Sequence, residues 1–252
     1  MFVLLCSYYQ YFGGRCKKRT VFIVSTLFIN LDGTSRARML NMHFQYLKVA
    51  NVRVRYLEYY SKFISKFIRR LRIDSRSLCI VGNSLGGHIA AEFAINYPLA
   101  VSKLVLVSPA GALPVSFKGT PELRNYLNIV KAKTVQQVRR DLLGIDKNVK
   151  SIEYNYAKMF FQRLKLPRAK EAFMSAFSGS AHAPRLTGRL HKIKAKTLLI
   201  WGKDDQMIPV NFLHPFIKMK NCRVILLENC GHSVHMNSST LFNKFVIDFL
   251  KE

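Results

Sequence analysis

The sequence is short of acid. Against 40 Lys and Arg, its 252 residues carry only 14 Asp and Glu, a formal net charge of +26. That imbalance raises a positive field over the surface and favours anionic partners. Nucleic acid is one such partner, yet the basic residues are scattered, with no zinc-finger spacing, no RNP-type aromatic motif and no long basic tail. A nucleic-acid function is therefore disfavoured, which leaves an anionic membrane face or a merely solvated basic surface. Cysteine is sparse as well: Cys6, Cys16, Cys79, Cys222 and Cys230 are odd in number and widely spaced, with no CxxC and no cysteine–histidine ligand pattern. This argues against a disulfide framework or a zinc site and for a reducing compartment. Long apolar runs are missing too. "MFVLLC" lacks a basic leader and "VFIVSTLFI" (21 to 29) falls well below the roughly 20 residues of a membrane span, so the chain reads as intracellular. Without secretion, the lone sequon Asn237-Ser238-Ser239 carries little weight.

What the sequence does have is core. With 49% hydrophobic residues, the chain suffices for one large domain, or a domain with an insertion. Apolar strand-like runs alternate with amphipathic helical ones. "VFIVSTLFIN" reads as a strand running into the turn "LDGTSR". In "YLEYYSKFISKFIRRL", Leu57, Tyr60, Ile64, Phe67 and Leu71 recur at helical spacing, leaving Lys62, Lys66, Arg69 and Arg70 on other faces. "SLCIVGN", "VSKLVLVSPAG", "KTLLIWG" and "CRVILLENCG" read as buried strands, with "GGHIAAEFAINYP" and "STLFNKFVIDFL" as helices. Strands and helices in this order predict a mostly parallel sheet covered on both faces. The segment 112–190 shows helical patterning without a clear buried strand, so it reads as a helical cap inserted between core segments 1–111 and 191–252.

Gly82-Asn83-Ser84-Leu85-Gly86 is G-x-S-x-G, directly after a strand and before a helix. Small residues two before and two after the serine permit a sharp turn that exposes its hydroxyl at a helix N-terminus. A serine hydroxyl is a weak nucleophile until a base takes its proton and a carboxylate orients that base. Asp204 and Asp205 lie just beyond the strand "LLIWG", and His232 just beyond "VILLENCG". The order serine, acid, histidine is that of the α/β-hydrolase arrangement. A single histidine serves a triad, so His88 and His235 read as helix or loop residues.

GNSLGG, WGKDDQMIP and ENCGHS resemble the nucleophile, acid and histidine motifs of the α/β-hydrolase superfamily. Within it, "KIKAKTLLIWGKDDQMIPV", "NCRVILLENCGHSVHM", "FVIDFL" and "LVLVSPAG" are similar to monoacylglycerol lipases of the abhydrolase-domain-6 type and their bacterial lipase relatives. The resemblance covers about residues 55 to 111 and 190 to 252, and the cap only in length and helical character. It implies Ser84 as nucleophile, His232 as base and acid, and the backbone amide of Leu85 as one oxyanion donor. The family's G-x-x-D spacing from Gly202 implies Asp205 as the acid, with Asp204 its neighbour. The implied partner is a small lipid ester, with peripheral contact to an anionic membrane and no cofactor or metal. By the same analogy Met159, Phe160, Phe161, Phe173, Met174 and Phe177 would line an acyl groove, or else pack the cap.

The chain departs from this pattern at its N-terminus. It contains no His-Gly dipeptide to supply the family's second oxyanion donor, Gly13-Gly14 being a weak substitute, and "VFIVSTLFINLDGTSR" resembles the later family strand that ends in Asp-x-Pro-Gly. The core thus reads as N-terminally truncated, which places turnover in question. Three functions stay open: an ester hydrolase, a carbon–carbon bond hydrolase of the meta-cleavage type, and a hydrolase-like binding protein that no longer turns over. Meta-cleavage relatives share GNS-x-GG and WG-x-DD but usually carry tryptophan where Ser233 follows His232.

Overall fold

The structure is a computed structural model that describes residues 2–12, 15–25, 56–70, 72, 78–112 and 121–252. Six strands form one sheet in the order β1 (Phe2–Phe12), β2 (Arg15–Ser25), β3 (Leu78–Asn83), β4 (Lys103–Val107), β5 (Lys196–Gly202) and β6 (Cys222–Leu227). From β2 to β6 every neighbour is parallel, while β1 runs antiparallel to β2. With helices packed on this sheet, the fold is the α/β-hydrolase fold.

Strand periodicity explains why both faces are covered. Leu78, Ile80, Leu104, Leu106, Leu199 and Trp201 enter one apolar cluster. The alternating residues Cys79, Val81, Val105, Val107, Leu198 and Ile200 enter the other. A period of two sends neighbouring side chains to opposite faces, so continuous apolar strands need two helical layers. On the first face lie α1 (Tyr56–Arg70) and α2 (Leu85–Asn96), together with residues of the insertion such as Val138, Phe160 and Leu164. On the second lies α7 (Ser239–Lys251), through Phe242, Val246, Phe249 and Leu250. Buried Lys103, at the start of β4, donates from Nζ to the Phe249 and Leu250 carbonyls at 2.7 and 3.1 Å. A cation there satisfies carbonyls that the last helical turn leaves open.

In α1 the buried stripe is Ser61, Ile64 and Ile68, flanked by partly buried Tyr60, Phe63 and Phe67. Ile68 was absent from the expected stripe, and the Leu57 and Leu71 side chains lie outside the described residues. Between β4 and β5 the described chain forms α3 (Pro121–Asn128), α4 (Val135–Leu143), α5 (Tyr154–Leu164) and α6 (Ala169–His182), and no strand. Thr134 and Gln137 close a reciprocal capping box that starts α4. Arg189, at the end of this insertion, holds Glu92 of α2 through two bonds of 3.0 and 2.7 Å.

The N-terminal strands differ from expectation. The strand expected from Val21 into "LFIN" begins instead at Arg15 and ends at Ser25, and residues 26–55, including Asp32-Gly33, lie outside the described ones. β1 was not foreseen. Phe12 pairs with Arg15. Glycine pairs between aromatic and β-branched runs are hairpin signals. Gly13 and Gly14 themselves, the suggested oxyanion substitute, lie outside the described residues. Among the described residues no helix is long and apolar enough to cross a membrane, and Cys222 and Cys230 are free thiols.

Candidate active site

The parallel sheet brings the loops after β3, β5 and β6 to one edge, and these carry Ser84, Asp205 and His232. Carboxyl-end loops of parallel strands are where such folds gather polar side chains. Ser84 joins β3 to α2 at φ 55° and ψ −122°, a conformation non-glycine residues rarely hold. Its amide donates to the Val107 carbonyl at 2.9 Å, and its carbonyl accepts from His88 and Ala110 amides at 3.1 and 3.0 Å. Asn83 Nδ2 also donates to the Val107 carbonyl, at 3.2 Å. The turn therefore rests on β4. Its tightness depends on Gly82: a Cβ there would fall 2.5 Å from the Gly86 carbonyl oxygen. Ser84 is half-buried, and Leu85 opens α2, where helix amides lack intrahelical partners.

Asp205 and His232 are brought into direct contact. His232 Nδ1 stands 2.9 Å from Asp205 Oδ2. An ionised carboxylate only accepts, so the proton of this bond sits on Nδ1 and Nε2 is left as the basic nitrogen. Asp205 Oδ1 accepts from the Met207 and Ile208 amides at 2.9 and 2.8 Å. The Trp201 indole donates to the Ile208 carbonyl at 2.9 Å and pins the far end of the loop. Asp204 turns away, its Oδ2 accepting from Asn148 Nδ2 at 2.9 Å.

Burial works to lower the His232 pKa. The charge and hydrogen bond of Asp205, with the charge of Asp146, outweigh it and raise the pKa above the ordinary histidine value. Asp146 is the residue that sequence reasoning missed. It comes from the loop after α4, is buried, and accepts from the Ser233 amide through Oδ2 at 2.6 Å. Its one sequence signal is Asp146-Lys147-Asn148, an Asx turn in which Oδ1 accepts from the Asn148 amide at 3.0 Å. Asp146, Lys147, Glu122, Asp204 and Gln206 line, with His232, a narrow cavity that has no room for a water molecule.

His88 and His235 are buried, and burial pulls each pKa down to about 4. His235 meets Phe242 edge-on at 6.1 Å. Asn237 of the sequon accepts the Gly231 amide at 2.9 Å, inside the histidine loop. Of the six suggested acyl-groove residues, Phe160 is buried in the core, while Phe173 and Phe177 pack at 4.9 and 6.0 Å from the Tyr126 ring. Met174 is exposed, and none of the six lines the cavity at His232.

A strained serine turn and a buried Asp–His pair at the carboxyl edge of a parallel sheet define the α/β-hydrolase class. A model of the alpha/beta hydrolase family matches residues 44–244, and the chain belongs to that family. It is similar to monoacylglycerol lipase ABHD6 of Homo sapiens, 31% identical over 216 residues, covering 75% of this chain and 59% of that protein. It is also similar to the 2-hydroxy-6-oxononadienedioate/2-hydroxy-6-oxononatrienedioate hydrolase of Paraburkholderia xenovorans (strain LB400). There the identity is 27% over 183 residues, covering 71% of this chain and 63% of that one. Among solved structures, the meta-cleavage product hydrolase of Pseudomonas fluorescens IP01 matches with a TM-score of 0.63 and 20% identity, over 85% of this chain and 74% of that one. The chain thus spans about three-fifths of the length of the first relatives.

Proposed function

We propose that the chain is a serine-type hydrolase acting on a carbonyl substrate, with Ser84 as nucleophile, His232 as general base and acid, and Asp205 orienting His232. The observation that carries this reading is the buried His232–Asp205 bond at the sheet edge that also presents Ser84. In the ester version, His232 Nε2 accepts the Ser84 proton as Oγ attacks the carbonyl carbon, with the Leu85 amide facing the oxyanion. The alcohol leaves with the proton from His232. Water, deprotonated by His232, then attacks the acyl-enzyme and releases the acid. Identity to the human monoacylglycerol lipase supports lipid esters as substrates. A formal charge of +26 supports peripheral contact of such an enzyme with anionic lipid.

A second reading has its own support. The Paraburkholderia relative is a hydrolase of 2-hydroxy-6-oxo dienedioates, and the same residues would serve the cleavage of a carbon–carbon bond beside a ketone. Fluorophosphonate labelling of the purified chain, with Ser84→Ala and His232→Ala controls, tests the shared machinery. Chromogenic esters and a chromogenic dienone then decide the bond. Turnover of esters alone supports the lipase-like reading, and dienone turnover overturns it. No labelling of a folded sample leaves the third possibility, a hydrolase-like binding protein.

A further inference from the structure

We propose that Asp146 is a positioning residue for His232, through which the helical insertion holds the catalytic base and stabilises the imidazolium it becomes. The inference rests on the serine-hydrolase reading for its consequence in turnover. Its geometric basis is independent of that reading. Asp146 is separated from Ser233 by 87 positions, yet the residue is 3% exposed and its carboxylate accepts the Ser233 amide at 2.6 Å. The residue next to His232 is thus fixed from the insertion. On the other side of His232, a Cβ on Gly231 would fall 2.2 Å from Asp146 Oδ1, so only glycine lets the histidine loop lie flush on this carboxylate.

The neighbouring residue Asn148 completes the clasp. Asn148 Nδ2 donates to Asp204 Oδ2, and the Asp204 amide donates to the Cys230 carbonyl at 2.9 Å. Asp146 and Asn148 therefore hold the acid loop and the histidine loop together from one short turn. A buried carboxylate that accepts a backbone amide keeps its charge close to the loop it fixes. That charge favours the imidazolium that forms when His232 takes a proton. Other charged and titratable groups around His232 and Asp146 are Asp205, Cys230 and His235 on the histidine segment, and Glu122, Lys147 and Asp204 around the cavity.

The test compares wild type, Asp146→Asn, Asp146→Ala and Asn148→Ala in the full chain. The His232 imidazole is titrated by NMR with ¹⁵N-labelled histidine, fluorophosphonate labelling is followed against pH, and thermal unfolding confirms each fold. Asp146→Asn keeps shape and an acceptor but loses charge. We expect its His232 pKa to fall and the acidic limb of labelling to move to lower pH. Asp146→Ala also frees the loop, and its best labelling rate should fall roughly 10- to 100-fold. An unchanged His232 pKa in folded Asp146→Asn, with labelling within about twofold in Asp146→Ala, overturns the proposal. So does loss of the fold in both Asp146 variants, which would make the carboxylate structural. If wild type does not label but the His232 pKa still drops in Asp146→Asn, the hydrolase reading fails while the positioning role stands.

Discussion

Asp205 and His232 meet through a 2.9 Å bond between two buried side chains, whereas the adjacent Asp204 faces Asn148. One position in the chain decides which carboxylate orients the imidazole. Asp205→Asn should lower turnover and labelling roughly 10,000-fold, because the amide favours the wrong histidine tautomer. Asp204→Asn should stay within about tenfold. Rates of probe labelling for both variants check this, and the reverse order would sink the assignment.

The serine turn should be intolerant of even one methyl group. In Gly82→Ala the new carbon meets the Gly86 carbonyl oxygen at 2.5 Å. Overpacking of this kind costs about 1–3 kcal/mol, and here it must also shift the Ser84 turn. Urea unfolding and probe labelling of Gly82→Ala should both fall below wild type. A variant as stable and reactive as wild type would contradict this geometry.

Acid should weaken the fold before carboxylates titrate. Burial holds His88 and His235 at about 4, below the ordinary 6.5. An unfolded chain takes up those protons first, so their stabilisation is complete above pH 6.5 and is lost as pH falls toward 4. Each contributes on the order of 3 kcal/mol over that window. His232 has the opposite sign: with a raised pKa, its contribution is present below the unfolded value and fades as pH rises through the folded one. Urea midpoints at pH 7 and pH 5 for wild type, His88→Phe and His235→Phe measure the effect. An equal pH dependence in all three would refute it.

The fork between Arg189 and Glu92 ties the end of the insertion to α2, the helix after Ser84. Glu92 is nearly fully buried and Arg189 about a third exposed on its side chain. Arg189→Ala strands the Glu92 carboxylate and should cost about 3 kcal/mol. Glu92→Gln with Arg189→Ala should recover part of that loss, since no buried charge is left unpaired. Chemical denaturation of the single and double variants decides it.

Much of the site was legible in the sequence because its chemistry is local. A serine between glycines at a strand-to-helix junction needs only its immediate neighbours to make the turn, while the choice of Asp205 over Asp204 came from the family resemblance, through its G-x-x-D spacing from Gly202. The strands of the core were equally readable, since unbroken apolar runs such as "KTLLIWG" must be buried on both faces. The β1–β2 hairpin went unread although Gly13-Gly14 stands between two β-rich runs. Asp146 left only a turn pattern, because its importance lies in a partner 87 residues away.

The sequence by itself determined the parallel apolar strands, the helix that follows Ser84, and the order of serine, acid and histidine, because each depends on contacts within a few residues. The tertiary structure brought Asp205, the acid the family resemblance implied, against His232 and turned Asp204 to Asn148. It also buried His88 and His235, turned the aromatic residues of the insertion toward Tyr126 and the core, and set Asp146 beneath the histidine loop. Those outcomes depend on desolvation and packing between distant segments, and such energies arise only when the sheet and the insertion close on each other.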